Sequence, residues 1–180
     1  ILLAGLFADS PTTIIEPVPS RDHTEKMLEA FGARIEHSGN AITLHPTNEL
    51  HAPEKISVPN DISSAAFFIV LATILPDSEL TLPAVGINPS RTGIIDVLRR
   101  MGADITLRNE KISGGELSAD LIVRHAELHA ADFGAEIIPR LVDEIPALAV
   151  AAAVQCPYCI DAYTNGCLEK GCDADQITEA

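Results

Sequence analysis

From Ile62 to Leu75 the chain carries no charge, reading ISSAAFFIVLATIL, and Pro76 follows directly. Just ahead of this run, Pro59-Asn60-Asp61 reads as a turn, with Asp61 at a helix N-cap. Its carboxylate can accept from the backbone N–H groups of Ser63 and Ser64, which have no partner inside a helix. The pattern predicts a helix over 62–75, apolar on every side and therefore buried nearly all round. Proline ends it, having no N–H to donate. Its 14 residues are too few to span a bilayer, which takes about 20.

A second pattern recurs on either side of this helix. Upstream, a strand is predicted over 11–16, then the stiff connection Pro17-Val18-Pro19. A helix over 24–31 follows, with Ser20 or Asp22 placed to cap it and Gly32 placed to end it. Strands over 33–36 and 41–44 flank the turn Ser38-Gly39-Asn40, and 45–55 is polar and irregular. Downstream come a strand over 80–82, a helix over 93–101, and strands over 103–108 and 121–124 with a loop at 113–118. Ser20-Arg21 and Ser90-Arg91 lie 70 residues apart, as do Gly32 and Gly102, and the leading strands lie 67 apart. Asp143-Glu144-Ile145-Pro146 and ALAVAAAV open a third acid-led apolar helix, and 1–8 reads as the end of a corresponding first one. The unit is helix–strand–helix–strand–strand, roughly 70–80 residues long, present twice with a third begun. Such alternation predicts an α/β layering. The start at Ile1-Leu2-Leu3, with no Met and no cap, reads as an internal stretch of a longer protein.

Composition narrows the function. The length of 180 residues allows one or two domains with their own cores. Twelve basic residues against 26 acidic ones leave a formal charge of −14. That argues against general affinity for nucleic acid or anionic membrane. An anionic small molecule would need a local cluster of Arg or Lys. No secretory signal, spanning helix or low-complexity run is present, so a soluble cytoplasmic protein is expected. All four cysteines, at 156, 159, 167 and 172, lie in the tail, so the body is not a disulfide scaffold. His125 and His129 are four apart but lack the HExxH order, and no metal is expected there.

Four stretches then carry a family resemblance: PVPSRDHTEKMLEAFG, VPNDISSAAFFIVLATIL, NPSRTGIIDVLRRMGADI and RLVDEIPALAVAAAV. In this order they resemble the 5-enolpyruvylshikimate-3-phosphate synthases (3-phosphoshikimate 1-carboxyvinyltransferases), over roughly residues 1–155. The resemblance implies a two-lobed protein with three βαβαββ units per lobe. Residues 1–59 would end one lobe and 60–155 begin the other, with the crossover near 59–61. The family often has glycine where Asn60 stands, and asparagine tolerates a left-handed turn there.

The implied reaction moves the enolpyruvyl group of phosphoenolpyruvate to the 5-hydroxyl of shikimate 3-phosphate, through a tetrahedral intermediate, with no metal or organic cofactor. It needs an acid/base group and cations for two phosphates and a carboxylate. By resemblance Asp143 is the acid/base residue, and Ser20 and Arg21 hold the shikimate 3-phosphate; a hydroxyl and a guanidinium at a helix start suit a phosphate. Read without the family, Asp143 is a helix N-cap and Ser20-Arg21 a cap and a surface charge. Arg91 is expected to cap or brace its own helix and stands outside this set. The family's Ser-x-Gln-x-Lys-Ser and Lys-Glu-Thr-Asp-Arg motifs are not in the sequence, so the chain is expected not to turn over alone.

Beyond Gln155 the resemblance changes. The tail, a short predicted helix over 156–180, is similar to the C-x-x-C helix of AhpD-like, carboxymuconolactone decarboxylase-related peroxidases. Cys156 would be the thiolate near a helix N-terminus and Cys159 its resolving partner. Tyr163 stands where that family frequently has histidine, which breaks the proton relay. Four inert thiols are the competing reading, and the spacing fits no common zinc ribbon. Two families meeting at one residue suggest a chimeric reading frame. A transferase fragment, a thiol redox protein and a functionless product are the three readings, and the sequence carries no sign of an oligomeric state.

Overall fold

The computed structural model describes residues 1–155, in which two three-stranded sheets repeat one topology. The first half runs α1 (Leu2–Gly5), β1 (Thr12–Ile15), α2 (His23–Ala30), β2 (Ile35–Ser38) and β3 (Ala41–Leu44). The second runs α3 (Ile62–Ile74), β4 (Glu79–Gly86), α4 (Gly93–Arg100), β5 (Asp104–Ser113) and β6 (Glu116–Arg124). In each sheet the last strand lies in the middle, antiparallel to both neighbours, giving the orders β1-β3-β2 and β4-β6-β5. The 70-residue spacing in the sequence is thus a repeat of structure. Two 3₁₀ turns, Ala135–Arg140 and Val142–Glu144, then lead into α5 (Ile145–Gln155). The fold is mixed α/β, as the alternation predicts.

Each half has its own core. Leu28, Ile42 and Leu44 centre the first, while Ile69, Ile94, Leu98, Leu121 and Val123 centre the second. Gly32, expected to end α2, does so at φ +89°, and its repeat-mate Gly102 at φ +103° ends α4 in the same left-handed region.

Several expectations are corrected. The helix α3 is not buried all round. It turns Ala65, Ala66, Ile69 and Val70 inward, while Phe67, Phe68, Leu71 and Leu75 are each at least half exposed. Lack of charge says a helix is apolar; it does not say how many sides are covered, and among the described residues the sheet and α5 cover one side. The loop expected at 113–118 is a two-residue turn. Gly114 and Gly115 at φ +57° and +82° join strands of ten and nine residues, the backbone that matches strand twist. Asn60 does not adopt a left-handed turn; it is extended enough to bridge Val85, with its side-chain amide donating to Pro83 O at 2.8 Å. The left-handed residues near it are Ala84 at φ +48° and, across the sheet, Asn109 at +52°. Both lie in β-bulges, and one carboxylate holds both: Asp120 on the middle strand accepts from Ala84 N–H and from the Asn109 amide, at 2.8 and 2.7 Å.

Asp61 caps α3 as expected, its Oδ2 accepting from the Ser64 N–H and hydroxyl, each at 2.8 Å. Burial opposes its ionisation, but these bonds, the Ser63 N–H and the Arg91 charge outweigh it and hold the carboxyl below its ordinary value. A depressed folded value means the cap's contribution is complete above the unfolded-chain value of about 3.9 and is lost as pH falls through the folded one. Asp61→Asn keeps a capping oxygen but removes this titration. Urea unfolding between about pH 2 and 5 is expected to show a flatter acid limb in the variant. An unchanged slope would rule out this role for Asp61.

Candidate functional site

Where the two halves meet, the β1–α2 connection and α2 of the first half face Asn88 ahead of α4, the Val142–Glu144 turn and the β5–β6 hairpin end. The approach is close. A Cβ on Gly115 would lie 2.3 Å from the Lys26 carbonyl oxygen, so only glycine fits there.

Arg21 reaches across this junction. Its Nη2 donates to Asp143 Oδ2 at 2.6 Å, over a separation of 122 residues, and both side chains are a little under half exposed. Two of the three residues singled out by resemblance are therefore together. Asp143 is not a helix N-cap; it lies inside the 3₁₀ turn Val142–Glu144 and its carboxylate points to Arg21. Ser20 is turned away, its hydroxyl and N–H both donating to Glu16, at 2.7 and 3.2 Å. Neither Ser20 nor Asp22 caps α2 through its side chain, because Asp22 takes the N-cap position but spends its carboxylate on Lys26 and Asn88. Burial works against the charge on Asp22, and those two partners overcome it and lower its carboxyl below the ordinary value.

Arg91 corrects the sequence reading. It does not brace α4. Its Nη2 donates to Ser63 Oγ at 2.5 Å and lies 3.6–3.7 Å from carboxylate oxygens of Asp61, Asp143 and Glu144. Ser63 in turn donates to Glu144 Oε1 at 2.5 Å, and Glu144 is 1% exposed. The side chain of Arg91 is 16% exposed.

Beside these groups lies a cleft of about 210 Å³, lined by His23, Pro59, Asp61, Ile62, Asn88 and Arg91 among others. His23 Nδ1 lies 2.6 Å from Glu116 Oε1. The buried Asn88 amide donates to Asp22 at 2.7 Å and to Glu116 at 3.2 Å, tying the two halves together. The arrangement offers an exposed guanidinium, Arg21, beside a half-exposed carboxylate, which can bind an anion and exchange a proton at the same place.

Ser63, Glu144 and Asn88 are not site candidates in the sequence, and Arg91 is weighed there but set aside as a brace of its own helix. A signal for Arg91 existed, since the repeat places it opposite Arg21, 70 residues on. His125 and His129 do not meet: the first donates through Nδ1 to Thr73 O at 2.9 Å and the second to Ala130 O at 3.2 Å. Cys156, Cys159 and the predicted tail helix lie outside the described residues. Among the described residues no helix is long and apolar enough to cross a membrane.

Three likenesses to known proteins bear on this site. A 3-phosphoshikimate 1-carboxyvinyltransferase of Desulforudis audaxviator is 57% identical over 153 residues, which are 85% of this chain and 35% of the relative. The EPSP synthase structure from Acinetobacter baumannii superposes with a TM-score of 0.80 at 49% identity, covering 85% of this chain and 34% of that one. The enolpyruvyl transferase NikO from Streptomyces tendae, at 24% identity and a TM-score of 0.63, shares the fold. The chain thus spans about a third of the length of the curated relatives it matches. The model for EPSP synthase (3-phosphoshikimate 1-carboxyvinyltransferase) matches residues 1–157, and the chain belongs to that family.

Proposed function

We propose that this chain is part of a shikimate-pathway enolpyruvyl transferase, and that the junction of its two halves holds shikimate 3-phosphate. In this reading residues 1–59 end one lobe, residues 60–155 begin the other, and phosphoenolpyruvate is the second substrate. Arg21, with Ser20 after it lets go of Glu16, receives the 3-phosphate. Asp143 takes the proton of the 5-hydroxyl as that oxygen attacks C2 of phosphoenolpyruvate and a proton adds to its C3, giving the tetrahedral intermediate. In the elimination C3 loses a proton, the C2–O bond to phosphate breaks, and the proton held on Asp143 leaves with the phosphate. The observation that carries the reading is the 2.6 Å contact of Arg21 with Asp143. It supports the reading because it brings a guanidinium suited to a phosphate beside a carboxylate suited to proton transfer, although they come from opposite halves of the chain. The family match ends at residue 157 and leaves the thiol reading of the tail without support.

Isothermal titration of the chain with shikimate 3-phosphate tests this. Binding is expected, and Arg21→Ala is expected to weaken it roughly 10- to 100-fold, the worth of a charge-assisted hydrogen bond of about 1.5–3 kcal/mol. Equal affinity of wild type and variant would remove Arg21 from the site.

A further inference from the structure

Asp143 has two cations within reach of one oxygen, and they are held very differently. Arg21 Nη2 is 2.6 Å from Oδ2, and Arg91 Nη2 is 3.7 Å from the same atom. The Arg21 side chain is 44% exposed and comes from the other half of the chain. Arg91 is largely enclosed and sits among three carboxylates, Asp61, Asp143 and Glu144, with Ser63 Oγ fixing its Nη2.

We infer that Arg91 is the positioning residue of Asp143: it keeps the carboxylate in place when Arg21 turns to a substrate phosphate. The inference rests on the reading that Arg21 binds phosphate. A phosphate dianion carries up to two negative charges and three acceptor oxygens, so it draws an exposed guanidinium away from a half-exposed carboxylate. Once Arg21 leaves, Asp143 would face Asp61 and Glu144 in a chain of net charge −14, were it not for Arg91. The cation at the centre of the three holds them together against like-charge repulsion.

Arg91 also anchors the backbone that carries Asp143. Glu144, the next residue of the same 3₁₀ turn, is buried and bound to Ser63, which accepts from Arg91. A guanidinium engaged by a hydroxyl and three carboxylates is not free to be a phosphate ligand itself. The two arginines, repeat-mates in sequence, therefore divide the work: one moves to the ligand and one stays.

Two measurements test this, one without ligand. In the Arg21→Ala chain the guanidinium ¹H–¹⁵N signals of Arg91 are expected to shift and to gain protection from solvent exchange. Both changes should vanish when Asp143→Asn is added. Identical Arg91 signals with and without Arg21 would overturn the take-over. In the second, Arg91→Lys, which keeps a cation in the cluster, is titrated with shikimate 3-phosphate and with inorganic phosphate. A roughly tenfold loss is expected for the first and less than about twofold for the second, with the loss absent in an Asp143→Asn background. Equal losses for both ligands would make Arg91 a direct phosphate ligand and overturn the positioning role. If the wild-type chain bound neither ligand, the shikimate 3-phosphate reading would fall, and the ligand-free spectra would still decide the role of Arg91.

Discussion

Gly115→Ala is expected to force the hairpin end off α2 and to lower the unfolding midpoint by several degrees. Two penalties coincide. The residue sits at φ +82°, where an L side chain is strained, and its Cβ would stand 2.3 Å from the Lys26 carbonyl oxygen. A backbone atom cannot rotate aside as a flexible side chain would. Strain of this kind costs of order 1–3 kcal/mol, or roughly 4–8 °C for about 2 kcal/mol in a chain of this size. Gly39→Ala is the control, since Gly39 has φ +57° and nothing within 4 Å of its would-be Cβ. It carries the conformational cost without the collision. The difference in midpoint between the two variants therefore measures how tightly the two halves touch. The Gly115 variant is also expected to bind shikimate 3-phosphate more weakly, because the same displacement moves Arg21 from Asp143. Equal midpoints for both variants would mean that the junction is open in solution.

Adjacent residues supply the second contrast. Glu144→Ala is expected to cost about 1–3 kcal/mol, because it leaves the part-buried Ser63 hydroxyl without its acceptor and takes one of three carboxylates from Arg91. Glu144 is 1% exposed, bonded to Ser63 and 3.6 Å from Arg91. Asp143→Ala removes a half-exposed carboxylate whose pair with Arg21 is screened by water, and is expected to change stability by less than about 1 kcal/mol. Its affinity for shikimate 3-phosphate should nevertheless fall. Chemical unfolding and titration on the same two variants separate a residue that supports the site from one that acts in it. Comparable stability losses in both would mean that Asp143 is structural.

Much of the fold was legible because it depends on local rules. The Asp61 cap and the glycines at 32 and 102 follow from neighbours a few positions away, and the 70-residue offset follows from whole motifs that recur. The long β5–β6 hairpin was shortened in the reading because Glu110 and Lys111 lie on exposed strand positions and hide the alternation. The site was half legible. Arg21 and Asp143 came from a family resemblance, and only the folded chain brings them to 2.6 Å. Arg91 reads as a brace of its own helix because its partners, Asp61, Ser63, Asp143 and Glu144, come from segments up to about 80 residues apart. No spacing rule connects them. Ser20 does not cap α2 because the helix starts at His23 with Asp22 at the N-cap position, and its hydroxyl donates to Glu16 instead.

The most direct measurement is a crystal structure of the chain with shikimate 3-phosphate bound. A site built on Arg21 and Asp143 requires the Arg21 guanidinium on the phosphate, a ring hydroxyl within hydrogen-bond distance of Asp143, and Arg91 still beside that carboxylate. A phosphate bound elsewhere, with the Arg21–Asp143 pair unbroken, would contradict it.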